Sequence, residues 1–181
     1  VTSVGEGEGR FIRQLGGRGH YAVARVRMEP RAHVAGRANF EVVRKISAET
    51  VPFEFIQAME TGVRDAAQSG VLGGYPVIDW KATLLGADVR FEESSELAFE
   101  NAGRAAFYEA MKAATPMLLE PIMDVEIVTS DEYLGPIMSD LNGRRASVRE
   151  TRMRGTDRII LADVPLSQMF GYITRLRSLS Q

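Results

Sequence analysis

Apolar and polar residues alternate from His20 to Met28, with Ala22, Ala24, Val26 and Met28 on one side and Tyr21, Val23, Arg25 and Arg27 on the other. That is the period of a strand with one buried face, and its outer side is basic. Residues 31–37 read as a connection, and a strand resumes at Asn39. Pro52 suits a helix start, where its missing N–H costs little. Apolar residues then recur at Phe55, Met59, Val63 and Ala66, close to helical period, until Gly70, Gly73 and Gly74 stop the helix. Residues 75–85, "YPVIDWKATLL", predict a buried strand, and residues 86–95, "GADVRFEESS", a loop. A second helix begins near Ser95, with Phe99, Ala102, Ala106, Ala110 and Ala113 turned inward. Glu92, Glu93 and Glu96 suit its positive N-terminal end. The opening "VTSVGEGEG" reads as a flexible or cut end.

Pro116 and Pro121 break the pattern and place a domain boundary between residues 118 and 119. Beyond it Met123, Val125 and Ile127 share a strand face. Thr129 and Glu132 have the spacing of a capping box, which would open a helix carrying Leu134, Ile137, Met138 and Leu141 and ending at Asn142-Gly143. Strands follow at about 146–152 and 158–164, then a helix with Phe170, Ile173 and Leu176. The order β-α-β-β-α is one strand short of the ferredoxin-like split βαβ unit. The fold class expected is α+β, two sandwiches of helices on sheets, at residues 1–118 and 119–181, the second lacking its last strand.

The 181 residues, 45% of them apolar and 25% charged, are ordinary for folded, soluble domains. No segment reaches the roughly 18 apolar residues of a membrane span, so no membrane partner is expected and a cytoplasmic location is. With no cysteine and only His20 and His33, thiol chemistry is excluded and no metal site is expected. Neither "GEGEGR" nor "GGRG" is followed by the Gly-Lys-Ser/Thr that opens a phosphate-loop helix, and no Gly-x-Ser-x-Gly elbow exists. No catalytic site is therefore expected in the chain.

The net charge of −2 gives no bulk argument for nucleic acid. Its distribution does, because residues 10–45 hold nine basic residues against two acidic ones, and residues 144–158 hold six arginines against Glu150 and Asp157. Arginine grips phosphate bidentately and stacks on bases, which leans toward RNA. The glycine-rich "RQLGGRGHY" at 13–21 would let a bare backbone approach such a surface closely. The same glycines would equally serve a tight hairpin with Arg18 merely exposed.

Longer motifs narrow the choice. "GRFIRQLGGRGHYAVARVRMEP", "GVLGGYPVIDWKATL", "ESSELAFENAG", "LLEPIMDVEIVT", "DEYLGPIMSDLNGRR" and "VPLSQMFGYITRLRSLSQ" resemble, in order, the C-terminal part of bacterial elongation factor G. The resemblance implies a ribosomal translocase whose GTPase domain, with its GTP and magnesium, lies outside this chain. Residues 1–118 would be the elongated, ribosomal-protein-like fourth domain and residues 119–181 the ferredoxin-like fifth. It implies RNA and tRNA contacts at a tip formed by Gln14, Gly16, Gly17, Arg18, Gly19, His20, Arg90, Glu92 and Ser94, in the small-subunit decoding region beside tRNA and mRNA. It implies large-subunit contacts, near the sarcin–ricin loop, at Arg154, Gly155 and Met169. The implied role is docking by a monomer rather than bond-making, with no cofactor in this part. Two positions depart from the family: His20 stands where glutamine usually follows "GGRG", and Arg90 where the second tip loop "YHDVDSSE" carries histidine. They leave open a paralogue acting in ribosome recycling or protection, beside a stand-alone RNA-binding scaffold.

Overall fold

The computed structural model describes residues 1–180 except 16–17 and 35–37, and the backbone but not the side chains of Leu15 and Arg18. The chain divides into two compact units, Val1–Leu118 and Leu119–Gln181.

The first unit comprises β1 (Gly5–Leu15), β2 (Arg18–Pro30), β3 (Phe40–Arg44), α1 (Phe53–Ser69), β4 (Trp80–Asp88) and α2 (Glu96–Ala113). Its sheet runs β1-β2-β4-β3, with β3 parallel to β4 and the other pairs antiparallel. Helix α2 lies on β1 and β2, and α1 lies against α2. The alternation of β2 is realised, since Ala22, Ala24, Val26 and Met28 are all sealed in the core with Met59, Val63, Leu84, Phe99 and Phe107. Val23 is an exception, buried although it sits on the outer side. Ser95 caps α2 by accepting from the Ala98 N–H (3.2 Å). The inward stripe of α2 continues to Ala114 rather than Ala113, which is exposed.

The opening segment is not a flexible end. Gly5, Gly7 and Gly9 alternate along β1 and face the backbone of α2, where a Cβ on Gly7 would lie 2.2 Å from the Ala110 nitrogen and one on Gly9 2.0 Å from the Ala102 carbonyl oxygen. Glycine here permits helix and strand to meet backbone to backbone. The residues between them, Glu6 and Glu8, face the other way and pair across the sheet with Arg27 and Arg25. The strand expected from residue 75 begins only at Trp80. Pro76 cannot donate to a ladder and Asp79 has a φ of 55°, so neither can continue an extended strand.

The second unit contains β5 (Ile122–Ser130), α3 (Leu134–Gly143), β6 (Ser147–Arg154), β7 (Asp157–Pro165) and α4 (Tyr172–Leu179), with 3₁₀ turns at Asp131–Tyr133 and Leu166–Gln168. The sheet order β5-β7-β6 is antiparallel throughout, the placement the split βαβ unit requires. Ile127, Ile137, Leu141, Ile160, Ala162, Val164 and Tyr172 form its core. Two details differ from expectation. Thr129 still lies within β5, its buried hydroxyl unpartnered, and the turn that follows the strand has no side-chain cap, so the capping box does not form. Helix α4 turns Tyr172 and Leu176 inward and leaves Phe170 (78%) and Ile173 (68%) exposed. The Leu166–Gln168 turn and the positive φ of Gly171 reset the helix phase after Phe170.

Candidate nucleic-acid interface

At one end of the first unit's sheet, the β1–β2 hairpin meets the loop joining β4 to α2. Gln14 is exposed and pairs with Gly19, and Arg13 pairs with His20. Gly16, Gly17 and the Arg18 side chain lie outside the described residues. Among the described residues, the hydrogen bonds that fasten the 89–95 loop to β2 meet at Tyr21. The Tyr21 N–H donates to the Glu93 carbonyl (2.9 Å), and the Ser94 hydroxyl donates to the Tyr21 carbonyl (2.8 Å) while accepting from the Arg90 N–H (3.0 Å). The Glu93 and Ser94 N–H groups donate back to the Arg90 carbonyl at 2.9 and 2.7 Å. Gly19 completes the join, since a Cβ there would press on the Glu93 side chain at 3.2 Å.

The Arg90 guanidinium lies 4.0 Å from the Tyr21 ring centroid and 3.4 Å from the Glu93 carboxylate, yet stays 62% exposed. Cation–π contact and ion pair together hold it over the Tyr21 ring. Glu92 projects into solvent. The structure thus brings Gly19, Arg90 and Ser94 together and adds Tyr21 and Glu93, which the sequence reading did not single out. Tyr21 was legible as an outward residue, but its partner loop lies far along the chain.

The local charge count does not survive folding intact. Arg25 is clamped by Glu8 (2.8 Å) and, through both terminal nitrogens, by Asp88 (3.1 and 2.8 Å). Hydrogen bonds from Arg10 and then Arg25 hold the Glu8 carboxyl below its ordinary value, and Asp88 and then Glu8 raise Arg25. Arg27 pairs with Glu6, Arg31 with Glu41 and Arg44 with Glu60. Among the described residues of this segment, Arg13 and Lys45 have no carboxylate at ion-pair distance; Arg13 instead lies over Phe11, 5.3 Å from its centroid. The basic outer side of β2 is therefore a neutralised ladder, and the two described cations of this segment left without a carboxylate are Arg13 on the hairpin and Lys45 just after β3.

In the second unit, Arg144 is committed to Asp140 (2.7 Å), the Gln168 carbonyl and the Tyr172 ring. Burial raises the Asp140 carboxyl, but bonds from Arg144 and Arg175 outweigh it and hold it below its usual range. Arg145, Arg149 and Arg158 are paired with Glu120, Asp124 and Asp131. Arg152 and Arg154 remain without a carboxylate among the described residues, two positions apart on one face of β6. Gly155, with φ 66° and open space around it, turns the β6–β7 hairpin. Met169 lies on another element and is partly packed into the core. Among the described residues, no three histidine or acidic side chains are grouped to hold a metal ion.

The model of elongation factor G domain IV matches residues 1–115, and that of the elongation factor G C-terminus matches residues 117–181. The chain belongs to the elongation factor G family. It is 48% identical over 181 residues to elongation factor G of Thermotoga neapolitana, and 49% identical to that of Thermotoga maritima, in each case covering 100% of this chain and 26% of the relative. A solved protein from Thermus thermophilus superposes with a TM-score of 0.86 at 32% identity, over 99% of this chain and 26% of that one. The chain thus spans about a quarter of the length of its elongation factor G relatives, and the two units have the fold of this family's C-terminal region.

Proposed function

We propose that this chain is the ribosome-docking part of an elongation factor G-like translocase. The first unit's tip enters the small-subunit decoding region beside tRNA and mRNA, and the second unit meets the large subunit near the sarcin–ricin loop through Arg152, Arg154 and Gly155. The observation that carries this reading is the tip itself, where two distant segments are fastened at Tyr21 and present the cations Arg13 and Arg90. Such a tip works by occupying space and holding phosphates, not by making bonds. The residues do not fit a nucleotide: the alternating glycines of β1 are filled by the backbone of α2 and cradle no phosphate. In this reading hydrolysis of GTP with magnesium belongs to a part of the factor outside these residues. Among the described residues no helix is long and apolar enough to cross a membrane; the factor we propose acts in the cytoplasm as a monomer.

The test is sedimentation of the chain with bacterial ribosomes across a salt series. Arg13→Ala and Arg90→Ala should each weaken binding and reduce the dependence on log salt by roughly one counterion or less. Binding that is absent at low salt, or indifferent to both substitutions, would refute the reading. A second reading, a paralogue for recycling or ribosome protection, is favoured by His20 and Arg90 standing where the family's tip loops carry glutamine and histidine. Translocation by the whole factor on programmed ribosomes separates the two.

A further inference from the structure

At the apex of the fastened loop stands Phe91, 79% exposed, between an arginine committed to Tyr21 and a run of acids. The loop around it is not loose. Hydrogen bonds from Arg90, Glu93 and Ser94 close the turn on itself and on β2, so the ring is held out by a backbone with few alternatives. Little conformational entropy remains to be lost when something packs on it.

We propose that Phe91 is a stacking platform for one unpaired RNA base. The inference rests on the docking role above and names what the tip's second loop would recognise. The loop is poorly built to hold phosphate: Glu92 and Glu93 follow the apex directly, Glu96 comes next, and the loop's own guanidinium, Arg90, is partly neutralised by Glu93. An exposed aromatic ring stacks on the uncharged face of an unpaired base, while cations elsewhere on the surface hold the backbone. A paired base has both faces covered by its neighbours in the stack, so the partner is unpaired. Arg13 and His20 on the hairpin strands can then engage the adjoining phosphates, dividing the tip into a charged half and a stacking half.

The experiment measures affinity of the chain for isolated bacterial small ribosomal subunits at two salt concentrations, with Phe91→Ala, Phe91→Leu and Phe91→Trp. Base–aromatic stacking predicts that Ala weakens binding roughly 5- to 150-fold. Leu should weaken it nearly as much, and Trp should retain or tighten it. The salt dependence should stay that of the unaltered chain, because no counterion is involved. Chemical probing of the subunit RNA should show one unpaired base protected by the unaltered chain and exposed with the Ala variant. Since the ring packs against little, the unfolding midpoint should not move, which guards against a folding artefact. Leu binding as well as Phe would mean insertion into an apolar protein pocket and would overturn the proposal, as would equal affinity of all four chains. If the chain binds subunits and responds to Arg13→Ala but ignores position 91, only this inference falls. Absence of any binding removes the docking role with it.

Discussion

Replacing Gly7 by alanine adds one carbon, and the structure gives that carbon no room. Its Cβ would sit 2.2 Å from the Ala110 nitrogen and 2.4 Å from the Ala106 carbonyl oxygen, about 1.2 Å and 1.0 Å short of the 3.4 Å at which ordinary contact begins. Both obstacles are backbone atoms of an 18-residue helix, so no side chain can swing aside. Either α2 lifts from β1 or β1 bends out of the sheet. A lift of about 1 Å would loosen Phe99, Phe107 and Met111 beneath the helix, forfeiting a quarter to a half of each affected dispersion contact. The cost should therefore reach the upper part of the overpacking range, roughly 3 kcal/mol, or a fall in melting temperature on the order of 10 °C for a unit of this size. The chain's single tryptophan, Trp80, is 2% exposed in this unit's core, so its fluorescence during urea unfolding reports on the right half of the molecule. Gly86→Ala is the control in the same sheet, because its Cβ would meet only the Arg25 side chain at an ordinary 3.5 Å. Equal midpoints for Gly7→Ala and Gly86→Ala would show that the glycine stripe is not a packing device.

Glu60 is only 8% exposed and receives Arg44 (2.7 Å) and Arg64. Burial raises its carboxyl, but the two arginines outweigh burial and leave it below the ordinary 4.5. Its contribution is thus fully present above that value and is lost as pH falls through the folded-state one. Glu60→Gln should cost about 1–2 kcal/mol at pH 7, and the gap in urea midpoint from the unaltered chain should close as pH falls through the lowered folded-state value; a gap constant with pH would contradict the sign. Ser94→Ala removes both the acceptor for the Arg90 N–H and the donor to the Tyr21 carbonyl. At about 1 kcal/mol, amide exchange in residues 90–94 should quicken roughly five-fold, and unchanged exchange would show that the loop is held by something else.

Much of the fold could be read without coordinates, because local periodicity sets which face of an element is apolar. The alternation at 22–28, the helical stripe at 59, 63 and 66, and the β-α-β-β-α order of the second half all appear as the pattern implies. Backbone geometry that depends on one residue was harder. Pro76 and the positive φ of Asp79 postponed β4, and the turn before Gly171 rotated α4 away from the Phe170 and Ile173 face that spacing suggested. The glycines at 5, 7 and 9 carried a clear period of two, but glycine looks the same in sequence whether it is free or pressed against a helix.

By itself, then, the sequence determined most of the elements, the α+β class and, through its long motifs, the family. Tertiary structure alone decided which charges remain available. Arg25 looks available until Glu8 and Asp88 arrive from other strands, whereas no carboxylate among the described residues pairs with Arg13. It also decided that residues 19–21 and 90–95 form one tip. Strand register and loop closure bring together groups that are remote along the chain. Electrostatic interactions and hydrogen bonds depend on that distance through space, which no count along the sequence contains.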